Sequence, residues 1–350
     1  MDNSSSNPEV KQDIPYIHIL RIMACVMVVC LHSLPQMPEL PRAHSLFRLA
    51  VILVTRPCVP LFLMITGFLL LRNQTTDISL APFWRKRIPR VFFPLIIWGV
   101  VYALLPSAIH PVEIGDLVYA VVMTPFEYPQ EIGGILWYLF TLIGIYLFLP
   151  FLSSRLFTNR MYQRIFICLW ILSSVVAYCQ FLDENILSGN PWAAPFDVLI
   201  YFSGLLGYLI LGLYISTCSF QLKSRPLVVS CILIFAISAV AIVPLSKLIE
   251  SDWPKSFFSV PSIAMSACIY LIISKLYRGG VFPAVRFVSK LSFGIYLCHM
   301  VVYTLLTRRL YDISTAPLTQ IAVMALTFVG ATLLAWILYR LPFHKYTIGT

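Results

Sequence analysis

Apolar runs of about twenty residues recur from residue 15 to residue 340, and no other feature constrains the fold of this chain as tightly. A run of that length matches the hydrocarbon thickness of a bilayer. Inside lipid only a helix or a closed barrel satisfies every backbone amide. The pattern predicts an all-α integral membrane protein with ten helices, near 15–35, 47–71, 90–106, 132–151, 164–182, 197–217, 226–246, 258–275, 286–306 and 317–340. The second is long and contains Pro57 and Pro60, so it should kink or break there. A weaker amphipathic stretch near 113–124 suits the membrane surface better than the interior.

Composition closes off the soluble alternatives. Only 11% of the residues are charged, 59% are hydrophobic, and the mean hydropathy is +0.85. A water-facing surface draws on about a quarter of a chain as charged residues. No composition shift divides the chain, so one membrane domain is expected over 15–340, flanked by cytoplasmic tails at 1–14 and 341–350. The first apolar run lacks the basic lead and small-residue cleavage site of a signal peptide and is read as a retained helix. The nine cysteines are scattered, without a C-x-x-C pair, and read as small apolar residues; neither a disulfide nor a metal site is expected.

Charge sets the orientation. With the N-terminus in the cytoplasm, ten spans place seventeen of the 25 Lys and Arg residues on that side and six on the other, with Arg21 and Arg56 inside helices. That split follows the positive-inside rule and puts both termini in the cytoplasm. It also accounts for the net charge of +10 without a nucleic-acid partner, for which no sequence pattern is present.

Ionisable groups within the spans are functional candidates, because each costs about 2.5–3.5 kcal/mol to insert. Helix one carries His18, Arg21 and His32. Arg21 and His32 are eleven residues apart, which returns them to within roughly 20° of one face and about 16 Å along the axis. Alternatively, Arg21 could snorkel to the headgroups and His32 serve only in packing. The segment "FWRKRIPRVFFP" sets Arg87 and Arg90 three apart, able to grip one anion; ordinary positive-inside charge is the competing reading. In "SKLSFGIYLCHMVVY", Ser289, Ser292, Tyr296, His299 and Tyr303 fall within an arc of roughly 80°, a stripe that lines a cavity or forms an interhelical seam. Arg56 beside Pro57 could pair with a carboxylate or headgroup, and Asp197 lies near a helix start. Trp137 and Tyr138 fit an interface belt or a ligand contact.

Histidine takes a hydroxyl proton near neutral pH, and arginines hold phosphates. A donor reaching from the cytoplasm to an acceptor within or beyond the membrane would need both. Proton-coupled transport is the other common use of intramembrane His and Arg, but the spans hold almost no Asp or Glu and no repeat is visible. A transporter or flippase of a glycan or lipid-linked sugar remains the alternative, and a membrane subunit without turnover a third.

The same segments resemble the acyltransferase-3 family of bacterial membrane acyltransferases. The resemblance rests on the R-x10-H of Arg21 and His32, "VPLFLMITGFLL" at 59–70, the R-x-x-R of Arg87 and Arg90, "GILWYLFTLIGIYLFLPFL" at 134–152 and "SKLSFGIYLCH" at 289–299. It implies a multi-pass protein of the bacterial inner membrane. The implied reaction moves an acyl group, usually acetyl from acetyl-CoA, to a hydroxyl of an envelope or exported carbohydrate, free or lipid-linked. Acetyl-CoA would be a co-substrate, with no cofactor permanently bound. The resemblance maps the essential His to His32, its Arg partner to Arg21, the R-x-x-R to Arg87 and Arg90, and the C-terminal motif to Ser289, Tyr296 and His299. His32, Arg21 and His299 are then expected at the chemistry, and Ser289, Ser292, Tyr296, Trp137 and Tyr138 around the acceptor. His32 would either deprotonate the acceptor or carry the acyl group itself. The chain departs from the family pattern at His18, where many members carry Asp, at Ile22 and Met23, at Thr66-Gly67, and at Ile135, where a His often precedes the motif.

Overall fold

A computed structural model describes residues 13–35, 40–105, 114–115, 118, 122, 132–182, 204–218, 224–277 and 279–349. Every regular element among them is helical. In chain order these are α1 (Pro15–His32), α2 (Arg42–Thr55), α3 (Cys58–Leu71), α4 (Leu80–Arg87) and α5 (Pro89–Leu104). A 3-10 turn at Ile132–Leu136 leads into α6 (Trp137–Phe148), then come α7 (Ser154–Thr158), α8 (Arg160–Leu182) and α9 (Leu206–Thr217). The chain continues through α10 (Ser224–Leu248), α11 (Val260–Leu276), α12 (Pro283–Ile313), α13 (Pro317–Arg340) and the short α14 (His344–Thr347).

Among the described residues nine helical segments are long and apolar enough to cross a membrane, and α9 is a shorter apolar helix. α9 occupies the C-terminal part of the sixth expected span, 197–217; residues 197–203, with Asp197, lie outside the described residues, as does most of 113–124. The protein is an all-α integral membrane protein of about ten helices. The second span breaks where the prolines stand: α2 ends at Thr55 and α3 begins at Cys58, beyond Arg56 and Pro57. It begins at Arg42, earlier than the apolar run alone indicates, because its first turn is polar.

The helices sort by what they face. α10 turns Val229, Ile237 and Val240 outward, as a lipid-facing helix must. α3 and α9 are buried on nearly every side. Two glycines let them touch. A Cβ on Gly67 would lie 2.1 Å from the Leu209 carbonyl oxygen, and one on Gly212 2.2 Å from the Met64 carbonyl oxygen. Hydrophobic burial offers little between helices already in lipid, so close backbone approach is what such an interface gains. α1 packs between α3 and α12, which in turn lies against α13. The polar faces of α1 and α12 therefore meet inside the bundle.

Candidate active site

α12 supplies more of the cavity wall than any other helix, α1 adds Arg21, and their meeting explains why polar residues are tolerated there. A cavity of about 260 Å³ opens between them. Its wall includes Arg21 of α1, Arg90 of α5, Tyr138 and Tyr146 of α6, and Ser289, Lys290, Ser292 and Tyr296 of α12. Phe62, Ile65, Leu142 and Phe293 complete its apolar side. Three cations and no carboxylate face this space, which favours an anionic ligand. Arg21 has no ion pair or hydrogen-bond partner among the described residues.

His32 and His299 lie together. Their ring centroids are 5.4 Å apart with the planes at 52°, and His299 is fully buried. The His299 Nδ1–H donates to the Tyr296 carbonyl at 2.6 Å, which fixes the tautomer and leaves Nε2 as an acceptor. That Nε2 is buried with no hydrogen-bond partner among the described residues. Buried polar atoms are seldom left unpaired, so an orphaned acceptor is suited to a hydroxyl donor brought by a ligand. Neither histidine lines the cavity; Tyr296 stands between, on the cavity wall and with its ring centroid 6.0 Å from that of His299.

The α12 stripe is both things the periodicity allowed. Ser289, Ser292 and Tyr296 line the cavity, whereas Tyr303 donates its hydroxyl to the Leu34 carbonyl at 2.8 Å and forms a seam. The Tyr296 hydroxyl donates to the Ile135 carbonyl, so the backbone holds Tyr296 at the position where family members often carry His. Tyr138 packs edge-on against Tyr296, with centroids 5.7 Å apart.

Other expected residues lie apart from the cavity. Arg87 and Arg90 flank the Ile88–Pro89 joint between α4 and α5, and only Arg90 reaches the cavity wall. Tyr146 lies within electrostatic reach of both. Trp137 stacks on Phe257 at 5.6 Å and 17°, away from the cavity. Arg56 donates to the Lys255 carbonyl at 2.9 Å, a backbone partner in place of a carboxylate or headgroup.

Asp13 is a participant that the sequence pattern did not reveal, because it stands in the polar lead before the first helix. Its carboxylate accepts from His18 Nε2–H at 2.6 Å and from Arg286 at 2.6 Å. His18 Nδ1 is hydrogen-bonded to the Ser289 hydroxyl, 3.0 Å away. The His18 hydrogen bond, aided by the charges of His18 and Arg286, holds the Asp13 carboxyl below the usual carboxylate range. The acidic group missing at position 18 is thus supplied from outside the helix, yet it pairs with Arg286 and leaves Arg21 open to the cavity. Tyr102, which donates to the Leu297 carbonyl, and Trp98, which donates to the Thr347 carbonyl at 2.8 Å, brace the same wall. Neither stands in a polar motif, so periodicity offered no means of finding them.

The family model described as "Acyltransferase domain", that of the acyltransferase-3 family, matches residues 14–340. The chain belongs to the acyltransferase-3 family. It is a membrane acyltransferase, and the matched region runs from just before α1 to the end of α13, taking in the histidine pair and every residue of the cavity wall except Gly349. No curated protein and no solved structure matches the chain. An acyltransferase requires a donor and an acceptor at one place; the cationic wall and the orphaned imidazole nitrogen are the features at which each would be sought.

Proposed function

We propose that this acyltransferase moves an acetyl group from acetyl-CoA to a hydroxyl of an envelope or exported carbohydrate, free or lipid-linked, at the bacterial inner membrane. The observation that carries the reading is the unpaired cationic cavity adjoining the His32–His299 pair. Arg90, with Arg87 nearby and Arg21 on the same cavity wall, would meet donor phosphates, and the thioester end would lie toward His32. The resemblance of the sequence to the enterobacterial common antigen O-acetyltransferase points to the same acceptor class.

In this reading the acceptor hydroxyl donates to His299 Nε2 or His32, and His32 removes its proton as the oxygen attacks the thioester carbonyl. The carbonyl oxygen gains negative charge as the tetrahedral centre forms; Arg21, about 16 Å from His32 along α1, holds the anionic donor and not this oxygen. The carbon–sulfur bond breaks, CoA leaves as thiolate, and a proton from solvent or His32 completes the thiol. Tyr296 serves as a wall, since its hydroxyl is committed to Ile135. His299, with its N–H committed to Tyr296, orients the acceptor rather than the oxyanion.

The test uses purified protein in lipid nanodiscs with radiolabelled acetyl-CoA and envelope glycans. Wild type should transfer label or hydrolyse the thioester, and His32→Ala should do neither while remaining folded. Full turnover in that variant removes His32 from the chemistry. If wild type neither binds nor consumes acetyl-CoA, the donor assignment fails and transport of a glycan becomes the assay to run.

A further inference from the structure

The C-terminal segment does not trail away from the bundle. After α13 ends at Arg340 the chain turns back, and α14 packs against α5. Trp98 holds the Thr347 carbonyl, and Ile348 is fully buried against the face of α12 that carries Gly294. Gly349 has φ +65°, and a Cβ there would lie 2.7 Å from the Arg90 carbonyl oxygen and 2.9 Å from the Phe293 ring. Only glycine satisfies both the left-handed backbone and the contact. The tail is thereby fixed on the residue that closes the cavity wall.

What it helps to enclose is a second chamber. A space of about 400 Å³ is bounded by Arg85, Lys86, Arg90, Phe93, Lys345 and Tyr346. Arg90 and Gly349 belong to both chambers, so the outer one adjoins the membrane cavity at those two residues. Four cations surround the outer chamber, and none has an ion pair among the described residues. Positive charge on the surface of a membrane protein is ordinary; its convergence on a concave space that adjoins the active cavity is not explained by orientation alone. Beside the charges, Phe93 and Tyr346 meet edge-to-face at 5.1 Å and are both exposed, offering an aromatic surface to a flat ring.

We propose that the C-terminal segment His344–Gly349 is part of the acyl-donor site, with Lys345 and Tyr346 holding the phosphorylated nucleotide end of the donor in the outer chamber. This rests on the acyl-CoA reading above. The nucleotide phosphates meet Arg85, Lys86 and Lys345, the purine lies on Tyr346 and Phe93, and the slender arm passes Arg90 and Gly349 into the membrane cavity. Both chambers are of the size that ligands occupy when taken together.

The experiment compares acetyl-CoA with acetyl-pantetheine, which carries the same thioester without the nucleotide, as donors for the full-length protein in nanodiscs. For Lys345→Ala/Tyr346→Ala the KM for acetyl-CoA should rise about tenfold, the loss of roughly one charge-assisted contact. The preference for acetyl-CoA over acetyl-pantetheine should fall by the same factor, and Lys345→Arg should restore most of it. An unchanged preference overturns the proposal, including the case where both donors lose equally, because that marks a structural role. If wild type uses acetyl-pantetheine as well as acetyl-CoA, the nucleotide site is refuted while acyl transfer stands. If wild type accepts neither donor, the acyl-CoA reading falls and this inference with it.

Discussion

Two polar clusters lie within the helices of this protein, and they are built on opposite principles. Around Ser259, at the start of α11, the hydroxyls are paired. Ser259 donates to the Pro254 carbonyl at 2.9 Å, lies 3.0 Å from the Ser262 hydroxyl and accepts from the Ser262 amide at 3.3 Å. Ser262 donates to the Ser256 carbonyl at 2.8 Å, and Ser266 to the Ser262 carbonyl at 2.6 Å. Between α1 and α12, by contrast, Arg21 has no counter-charge and His299 Nε2 has no donor among the described residues. A polar group that is satisfied stabilises a fold; one left open costs stability and is suited to a ligand. On the proposed reading, the contrast separates structural polarity from polarity kept for a ligand.

The sharpest way to break that contrast is His32→Ala. Acyl transfer is expected to fall by about 10²–10⁴-fold, the usual contribution of a general base, with the thermal midpoint unchanged. A parallel loss of stability would return the histidine pair to the structural class. Arg21→Met tests the open side more subtly. The KM for the donor should rise about tenfold if Arg21 holds its phosphates, whereas stability should rise slightly, since a half-buried charge with no counter-ion among the described residues is removed. Activity and thermal melting measured on the same preparation check both signs; a destabilised variant would mean that Arg21 has a partner in the resting protein.

Ser259→Ala should behave in the reverse sense. Losing this helix cap is expected to cost about 1 kcal/mol in thermal unfolding and to leave the transfer rate alone. The smallest effect is expected of Asp13→Asn. Because the folded carboxyl titrates below its unfolded value of 3.8, the Asp13 clamp contributes at and above that pH and is lost as pH falls through the lower folded value. The wild-type advantage in melting temperature over Asp13→Asn should therefore be present near neutral pH and vanish in acid. With the carboxylate exposed to solvent, the difference should be small.

Much of this was legible in the residues themselves. Apolar length required membrane helices, because unpaired backbone amides are intolerable in lipid, and Pro57 marked the break in the second span. Periodicity put Arg21 and His32 on one face and collected Ser289, Ser292, Tyr296 and His299 on another. Those are local consequences of 3.6 residues per turn, and they survive in the fold.

Which faces meet is not local. The sequence could not say that Arg90 reaches the cavity while Arg87 does not, because that depends on how α4 and α5 pack against α6 and α12. Nor could it say that His299 would stand beside His32 with one nitrogen already committed, since that depends on how α12 is rotated against α1. Asp13 and Gly349 stand outside every apolar span, yet Asp13 is linked to Ser289 through His18, and Gly349 lines the cavity because the chain turns back after α13. Composition and period determined that the polar groups would be hidden from lipid; only the packing of helices, decided by close contacts such as Gly67 with Leu209, determined which groups would be paired and which left open for a substrate.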